Sequence, residues 1–509
     1  MKKTLLLPLL AILLACGPTE SNLSSESSES EFTSSSSESR TPVEVELNDA
    51  TYDFYCLNDF HGSIRELSEE HAVGMGKLFS ELKRLKDADP EHTFILSAGD
   101  MFQGSLESNR EYGMSVLSGM NAAGFDAMAV GNHEFDYGQS RLFDLTKAAD
   151  FPFLGANIVK WENGQETSEP LSDLIGSSTI IERGGNRIGI IGAIGEGLTD
   201  DITSSAVSNC VFTDIEPIIK EEATRLREYE GCGLVILLLH DDERAIKYFD
   251  DPVENYVDGI FTGHTHSKNL SLLAGRVPVV QSYYNGHNIS HFTLTVENGE
   301  IRCDEYEVMN TSYDWEVEPE IQAVIDEYLD EEFEAYASRV GGVLDNQMSR
   351  TEVANLGCKA IYEEYVDDYP DLAFAIENSQ RASLYPGEVT YSDLYKASPF
   401  MNSICILNVA GSDVISGISG NCSYTDKGLT VDGIVYDEYY TVAVIDYLAL
   451  HQNSRKEYDY FRSLNDDGSL IATYETYPMD LSFDYMQNEL GGVIRASDFQ
   501  SGQNGFGSR

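Results

Sequence analysis

Five short apolar runs each lead into side chains that can ligate a metal ion. Phe54-Tyr55-Cys56-Leu57 leads to Asp59 and His61, Phe94-Ile95-Leu96 to Asp100, and Ala127-Met128-Ala129-Val130 to Asn132 and His133. Leu234 to Leu239 ends in His240, and Gly259-Ile260-Phe261 leads to His264 and His266. An apolar run followed by a polar cluster reads as a buried strand that delivers a loop to a site at its carboxyl end. Five such strands point to one shared site. Asp, Asn and His without Cys suit Zn, Mn, Fe or Co and argue against a structural zinc site. Asp59, His61, Asp100, Asn132, His240, His264 and His266 together exceed what a single ion needs once water is included. Two divalent ions sharing one carboxylate is the economical arrangement. Ions about 3.5–4 Å apart hold a hydroxide for in-line attack on phosphorus and neutralise the phosphoryl oxygens.

The elements that must carry these loops are visible as periodicity. From about Asn48 to Glu307, strand-like runs alternate with amphipathic stretches such as Ala72 to Lys86 and Tyr112 to Ala123. Later strand-like runs are Ile188 to Ile194, Val277 to Ser282 and the alternating His291 to Val296. This pattern predicts an α/β sandwich of two sheets with the site on loops at one end. Pro319 opens a long acidic helical stretch, Glu320 to Arg339, closed by Gly341-Gly342 and read as a connector. A second, smaller α/β region follows, with a helix from Glu352 to Tyr365 and strands Leu372 to Ile376, Ile404 to Val409 and Tyr440 to Val444. The expected boundaries are 48–310 for the first domain, 311–345 for the connecting helix, 346–500 for the second domain and 501–509 for a polar, flexible tail.

Composition narrows the partners. Among 509 residues, 86 are acidic and 33 basic, a formal net charge of -53 that repels nucleic acid. A small anionic substrate therefore needs metal ions and a few arginines to reverse the sign locally. At the N-terminus, Lys2 and Lys3 precede an apolar run from Leu5 to Leu14. That run is shorter than the roughly 20 residues that span a bilayer. Its ending, Leu14-Ala15-Cys16, resembles the bacterial lipoprotein signal, in which the Cys becomes the lipidated first residue; an ordinary cleaved secretory signal is the alternative. Residues 1–16 are thus expected to be a signal and 17–47 a Ser/Glu-rich disordered tether. The protein is expected outside the cytoplasm, anchored to the bacterial cell membrane by lipid on Cys16. Of the eight cysteines, Cys56 and Cys405 lie in apolar strand-like runs, and Cys210 and Cys232 could pair.

Asn58-Asp59-Phe60-His61-Gly62, Gly99-Asp100-Met101-Phe102-Gln103-Gly104, Gly131-Asn132-His133-Glu134-Phe135-Asp136 and Gly263-His264-Thr265-His266 occur in that order, with His240 before the last. They resemble the signature of calcineurin-like metallophosphoesterases, and more narrowly the bacterial 5'-nucleotidase and UDP-sugar hydrolase family. The resemblance implies that Asp59, His61 and His266 hold one ion and Asn132, His240 and His264 the other, with Asp100 bridging. It further implies His133 beside the phosphoryl group as acid or transition-state stabiliser, oriented by Asp136. Asn58, Gln103 and Glu134 are read as supporting residues. Asp241-Asp242-Glu243, where the family more often has small residues and glycine, is read as facing solvent.

The resemblance continues into the second region. Arg350 with Asn355-Leu356-Gly357 looks like the family's arginine and Asn-x-Gly helix start, and Asn378-Ser379-Gln380-Arg381 sits where the family has Asn, a glycine run and Ile-Arg. It implies that Arg350, Asn378 and Arg381 contact the phosphate or ribose side of a substrate. Ser398-Pro399-Phe400-Met401-Asn402 resembles Pro-Phe-x-Asn, in which the aromatic stacks on the base and the Asn, here Asn402, hydrogen-bonds nearby. After Asp446-Tyr447-Leu448-Ala449, the family's Gly-Gly-Asp-Gly-aromatic is replaced by Leu450-His451-Gln452-Asn453, which leaves Tyr458 or Tyr460 as candidates for the second aromatic face. The expectation is an α/β/β/α sandwich metallophosphoesterase domain with a smaller α/β substrate-binding domain, hydrolysing extracellular nucleotides with two divalent metal ions. The alternatives are a phosphoesterase for another small phosphate ester or a 2',3'-cyclic nucleotide, and a non-catalytic surface binding lipoprotein.

Overall fold

The computed structural model describes residues 42–507 apart from 44, 46, 68–70, 204–205 and 450–469. The signal, Cys16, most of the tether, and Tyr458 and Tyr460 lie outside the described residues. Among the described residues the first region holds two large sheets. One runs Glu300–Asn310, Asn288–Glu297, Ala50–Leu57, Thr93–Ser97, Ala127–Ala129, Phe153–Leu154, Ile175–Gly176. The other runs Asn269–Leu273, Val277–Gln281, Gly259–Thr262, Leu234–His240, Asn186–Ile194, Ser178–Arg183. Ala50–Leu57, Thr93–Ser97 and Ala127–Ala129 are mutually parallel in register, as are Asn186–Ile194, Leu234–His240 and Gly259–Thr262.

Alternation of side chains along these strands builds the layers. Tyr52, Phe54, Phe94 and Leu96 point inward and meet Ile188, Ile190, Ile236, Leu238 and Phe261 of the facing sheet. Phe54 stacks on Phe94 at 4.8 Å, and Phe261 on Phe292 at 4.4 Å. The intervening residues face outward onto helices: Ile95 and Met128 share a cluster with Leu78, Phe79 and Val116 of Gly74–Ala88 and Met114–Ala123. Ile191, Val235 and Leu237 pack with Ile215 and Ile219 of Ile215–Thr224 on the other side. Strands buried on both faces read as continuous apolar runs, as Leu234 to Leu239 does.

The second region has a five-stranded sheet in the order Cys422–Tyr424, Leu372–Glu377, Tyr439–Ile445, Ile404–Ala410, Leu470–Tyr474. Helix Arg350–Tyr365, started by a Ser349/Glu352 capping box, packs on it.

Several expectations are corrected. The stretch Glu320 to Arg339 is two helices, Pro319–Tyr328 and Glu331–Ala337, because Asp330 caps the second: its carboxylate accepts from Phe333 N at 2.7 Å. Gly341-Gly342 does not end a helix. Both glycines lie in strand Val340–Leu344, between Gly387–Thr390 and Val493–Ile494, where a Cβ on Gly342 would stand 3.0 Å from the Gly492 carbonyl oxygen. The closing segment through Gly507 is packed and not a free tail. Phe506 is buried 5.0 Å from the Tyr424 ring, and the backbone of 505 and 507 hydrogen-bonds to Thr425 and Ser423. Cys210 and Cys232 are free thiols buried in different clusters.

One buried acid gives the second region a pH signature. Glu377 is 3% exposed; its Oε1 accepts from Gln380 Nε2 at 2.6 Å, and its Oε2 has no partner. Burial pushes this carboxyl from its usual 4.5 up to about 8. Between those values the folded chain binds a proton that the unfolded chain does not, so stability is complete below the lower value and falls as pH rises toward the upper one. Glu377→Gln should abolish that slope, on the order of 1 kcal/mol per pH unit. Its unfolding midpoint is expected to exceed wild type at pH 8 and to match it near pH 4.5. An equal shift at both pH values would show that Glu377 ionises normally in the fold.

Candidate metal centre

Parallel strands bring their carboxyl ends to one edge, and all five loops gather there. Asp59 and His61 follow Ala50–Leu57, Asp100 follows Thr93–Ser97, Asn132 and His133 follow Ala127–Ala129, His240 ends Leu234–His240, and His264 and His266 follow Gly259–Thr262. Five of these residues take left-handed backbone: φ is 50° at Asp59, 50° at His61, 57° at Asp100, 68° at His264 and 53° at His266. Each such residue costs on the order of 1 kcal/mol, a strain that persists where the surroundings over-determine the geometry.

The seven side chains fall into two adjacent groups. Asp59, His61 and His266 present ligand atoms within 4.8 Å of one another, as do Asp100, His240 and His264. In the first group the Nε2 atoms of His61 and His266 are 2.9 Å apart, with Asp59 Oδ1 3.4 Å from His266 Nε2. In the second, His240 Nε2 is 3.2 Å from Asp100 Oδ2, and Asn132 Oδ1 lies 3.0 Å from His240 Nε2 and 3.1 Å from His264 Nδ1. Backbone carbonyls fix the rings: His61 Nδ1–H donates to Gln103 O at 2.9 Å and His240 Nδ1–H to Ala98 O at 2.7 Å, leaving each Nε2 facing inward. The His264 amide donates to Asp59 Oδ2 at 2.9 Å and ties the groups together.

The electrostatics favour a cation. Burial raises the Asp100 carboxyl, yet the histidines around it, His240 foremost, hold it well below the usual range. Burial likewise pulls His61 down to about 3, so its imidazole is neutral and ready to ligate. His240 goes the other way: burial opposes its charge, but Asp100 and Asp59 drive it up to about 10. Two buried carboxylates thus concentrate negative charge that a proton on His240 or a bound cation offsets. With their Nε2, Nδ1 and carboxylate atoms converging, these donors fit divalent ions.

Supporting residues hold the loops. Glu134 is fully buried and accepts from the backbone N–H of Gly131 at 2.7 Å, Asp100 at 2.8 Å and Met101 at 2.9 Å, joining two ligand loops. Asn58 Nδ2 donates to Asp59 Oδ2 at 2.7 Å and to Tyr283 O at 2.8 Å. Gly131 must lack a side chain, because a Cβ there would stand 2.3 Å from Asp100 Oδ1. Gly131→Ala is therefore expected to displace Asp100 and cut bound metal to less than half, read by elemental analysis of the purified protein. Unchanged stoichiometry would show that the loop yields.

Beside the second group, His133 Nδ1–H donates to Asp136 Oδ2 at 2.7 Å, and the His133 amide donates to Asp100 Oδ1 at 2.9 Å. Burial lowers the His133 pKa, but Asp136 and Asp100 outweigh it and hold the imidazole above its usual value. Its Nε2 faces a cleft of about 930 Å³ lined by Asn132, His133, Asp136 and His264 on one side and Asn378, Arg381, Phe400 and Asn402 on the other. Arg381 Nη2 reaches within 3.0 Å of His133 Nε2, and its guanidinium lies over the Phe400 ring at 5.0 Å. The loop that lacks the glycine run carries Arg381 to this cleft. Arg350, expected at the substrate, is not among the cleft-lining residues; its Nε–H donates to the Gln380 carbonyl and braces the loop that carries Arg381. Asp241, Asp242 and Glu243 are half-buried and locally paired, which corrects the solvent-facing expectation. Asp242 accepts from Arg244 Nε at 2.6 Å, and Glu243 from Asn269 Nδ2 at 2.8 Å and Ser271 Oγ at 3.0 Å.

The family model for calcineurin-like phosphoesterases matches residues 52–268, and that for the C-terminal domain of 5'-nucleotidases matches residues 335–430. Protein UshA of Yersinia enterocolitica is 26% identical over 72% of this chain and 76% of its own length. The chain belongs to the 5'-nucleotidase family of calcineurin-like metallophosphoesterases. An apyrase of Tabanus yao is 26% identical over 70% of the chain and 71% of its own. In fold, a 5'-nucleotidase precursor from Thermus thermophilus superposes with a TM-score of 0.70 at 20% identity, covering 87% of this chain and 97% of that one. This member of the family is a hydrolase acting on phosphate esters, and its calcineurin-like fold implies divalent metal ions.

Motif reading missed several residues of the phosphoesterase cleft. Tyr447 and Asp446 line it beyond Phe400, and Gln139, Thr203 and Asn209 line it beyond Asp136. Asp201 Oδ2 comes within 3.7 Å of His264 Nε2. Asp446 and Tyr447 lay in a stretch singled out by the resemblance; Gln139, Asp201, Thr203 and Asn209 carry no spacing signal.

Proposed function

We propose that this phosphohydrolase releases phosphate from nucleotides outside the cytoplasm. The observation that carries the reading is the placing of His133, Asp136 and Arg381 where the metal-ligand groups meet a cleft ending in Phe400 and Tyr447. Asp59, His61 and His266 would hold one divalent ion, and Asn132, His240 and His264 the other, with Asp100 shared. When bound, the two ions supply a nucleophilic hydroxide and neutralise phosphoryl oxygens.

The chain's own residues do the rest. Arg381 offers Nη donors to a phosphoryl oxygen at the cleft mouth. His133, held in orientation by Asp136, gives its Nε2 proton to the departing 5'-oxygen as the P–O bond breaks. The phosphate side of the substrate thus leaves protonation of the alkoxide to one imidazole. Phe400 offers a flat face to the base, with Tyr447 as a second aromatic lining the cleft, while Asn378 and Asn402 supply amide donors and acceptors. A binding protein without turnover has no use for a histidine paired to a carboxylate at this point. Among the described residues no helix is long and apolar enough to cross a membrane. Lipid on Cys16, followed by the Ser/Glu tether, would hold the enzyme at the cell surface, and Cys16→Ser should release it from the membrane fraction.

Phosphate release from AMP, UDP-glucose, 2',3'-cyclic AMP and p-nitrophenyl phosphate with added manganese or zinc tests the reading. Metal-dependent turnover of AMP far above that of p-nitrophenyl phosphate is expected. Equal turnover of every ester would discard nucleotide specificity.

A further inference from the structure

We propose that Gln103 and Asn109 are positioning residues that set where Phe400 stands, and so determine how strongly the enzyme favours substrates with a flat heterocyclic leaving group. This rests on the nucleotide reading above. Both side chains are 3% exposed and belong to the loop and short helix that follow Asp100, yet both reach across to the second region.

Gln103 Nε2 donates to Pro399 O at 3.1 Å, and Asn109 Nδ2 donates to the same carbonyl at 3.2 Å and to Tyr395 Oη at 2.8 Å. Asn109 Oδ1 accepts from Gly104 N at 3.1 Å and Tyr137 Oη at 2.6 Å, so both ends of its amide are engaged. Proline has no N–H, so its carbonyl is the one backbone group by which residue Pro399 can be held. Two residues upstream, the Arg381 amide donates to Ala397 O at 2.8 Å. The strip Ala397 to Phe400 is therefore pinned at one end by the loop bearing Arg381 and at the other by two amides of the metal-binding region.

Phe400 follows directly, its ring centre 6.4 Å from that of His133 and beneath the Arg381 guanidinium. Gln103 also links the two halves of the reaction. Its backbone carbonyl fixes the His61 ring at 2.9 Å, while its side chain fixes the peptide that aims the aromatic. A substrate that does not stack on Phe400 gains nothing from this clamp. One that stacks loses affinity when the ring is free to wander, because the ordering is then done at the expense of binding.

The test compares kcat/KM for AMP and for glycerol phosphate, whose leaving group has no ring, in wild type, Gln103→Met, Asn109→Ala, Phe400→Ala and the Gln103→Met/Phe400→Ala double variant. Gln103→Met keeps length while removing the donor, and serves if Asn109→Ala does not fold. The AMP to glycerol phosphate ratio is expected to fall about five- to tenfold in Gln103→Met, the worth of one buried neutral hydrogen bond. It should fall further in Phe400→Ala, and adding Gln103→Met to Phe400→Ala should change it no more. An unchanged ratio in Gln103→Met, or an equal fall with and without Phe400, overturns the clamp. A wild type that prefers neither ester overturns the nucleotide reading, and the clamp with it.

Discussion

Asp100→Ala is expected to strip the centre of metal and lower phosphate release from AMP by at least about 10³-fold, beyond the 10–100-fold typical of losing an outer partner of a ligand. Asp100 is 1% exposed and serves two neighbours at once. Its Oδ2 faces His240 at 3.2 Å, its Oδ1 accepts the His133 amide at 2.9 Å, and its charge lowers the cost of every cation nearby. Removing it leaves His240 without the carboxylate that drives its pKa up, and frees the start of the His133 turn. Metal per chain, measured beside turnover, tests this. A variant that keeps two ions and near-normal rate would show that Asp100 is not shared between the groups.

His133→Ala should behave differently: metal content is retained and kcat for AMP falls by about 10²–10⁴-fold, the range for loss of a general acid. The fall should be smaller for p-nitrophenyl phosphate, because nitrophenolate is a stable anion and leaves without a proton. Asp136→Asn, which keeps the hydrogen-bonding shape but removes the charge 2.7 Å from His133 Nδ1, should lie between wild type and His133→Ala. Equal losses on both esters would place His133 at the phosphoryl oxygens and not at the leaving group.

The elements that carry the centre were legible because burial on both faces of a parallel strand leaves a plain signature. Leu234 to Leu239 and Phe94-Ile95-Leu96 are apolar without alternation, the first followed at once by His240 and the second, four residues on, by Asp100. The alternating His291 to Val296 was equally plain as part of strand Asn288–Glu297. What periodicity could not show is the break at Asp330. A capping aspartate inside an acidic helical stretch looks like one more helix-compatible charge until the chain turns. Nor could it show that Gly341-Gly342 lies in a strand: glycine marks a helix end and a close backbone approach alike, and only the neighbouring Gly492 carbonyl distinguishes them.

The sequence by itself determined the donor set, its order along the chain and the strands that deliver it, because ligand chemistry and hydrophobic periodicity are properties of residue type and spacing. Tertiary structure alone decided the pairing of those donors into two groups, the left-handed backbone that aims them, the arrival of Arg381 at His133 on a loop that lacks the glycine run, and the joint grip of Gln103 and Asn109 on Pro399. Those are contacts between segments as many as 296 positions apart, set by how two sheets and a second domain pack, and no local pattern encodes them.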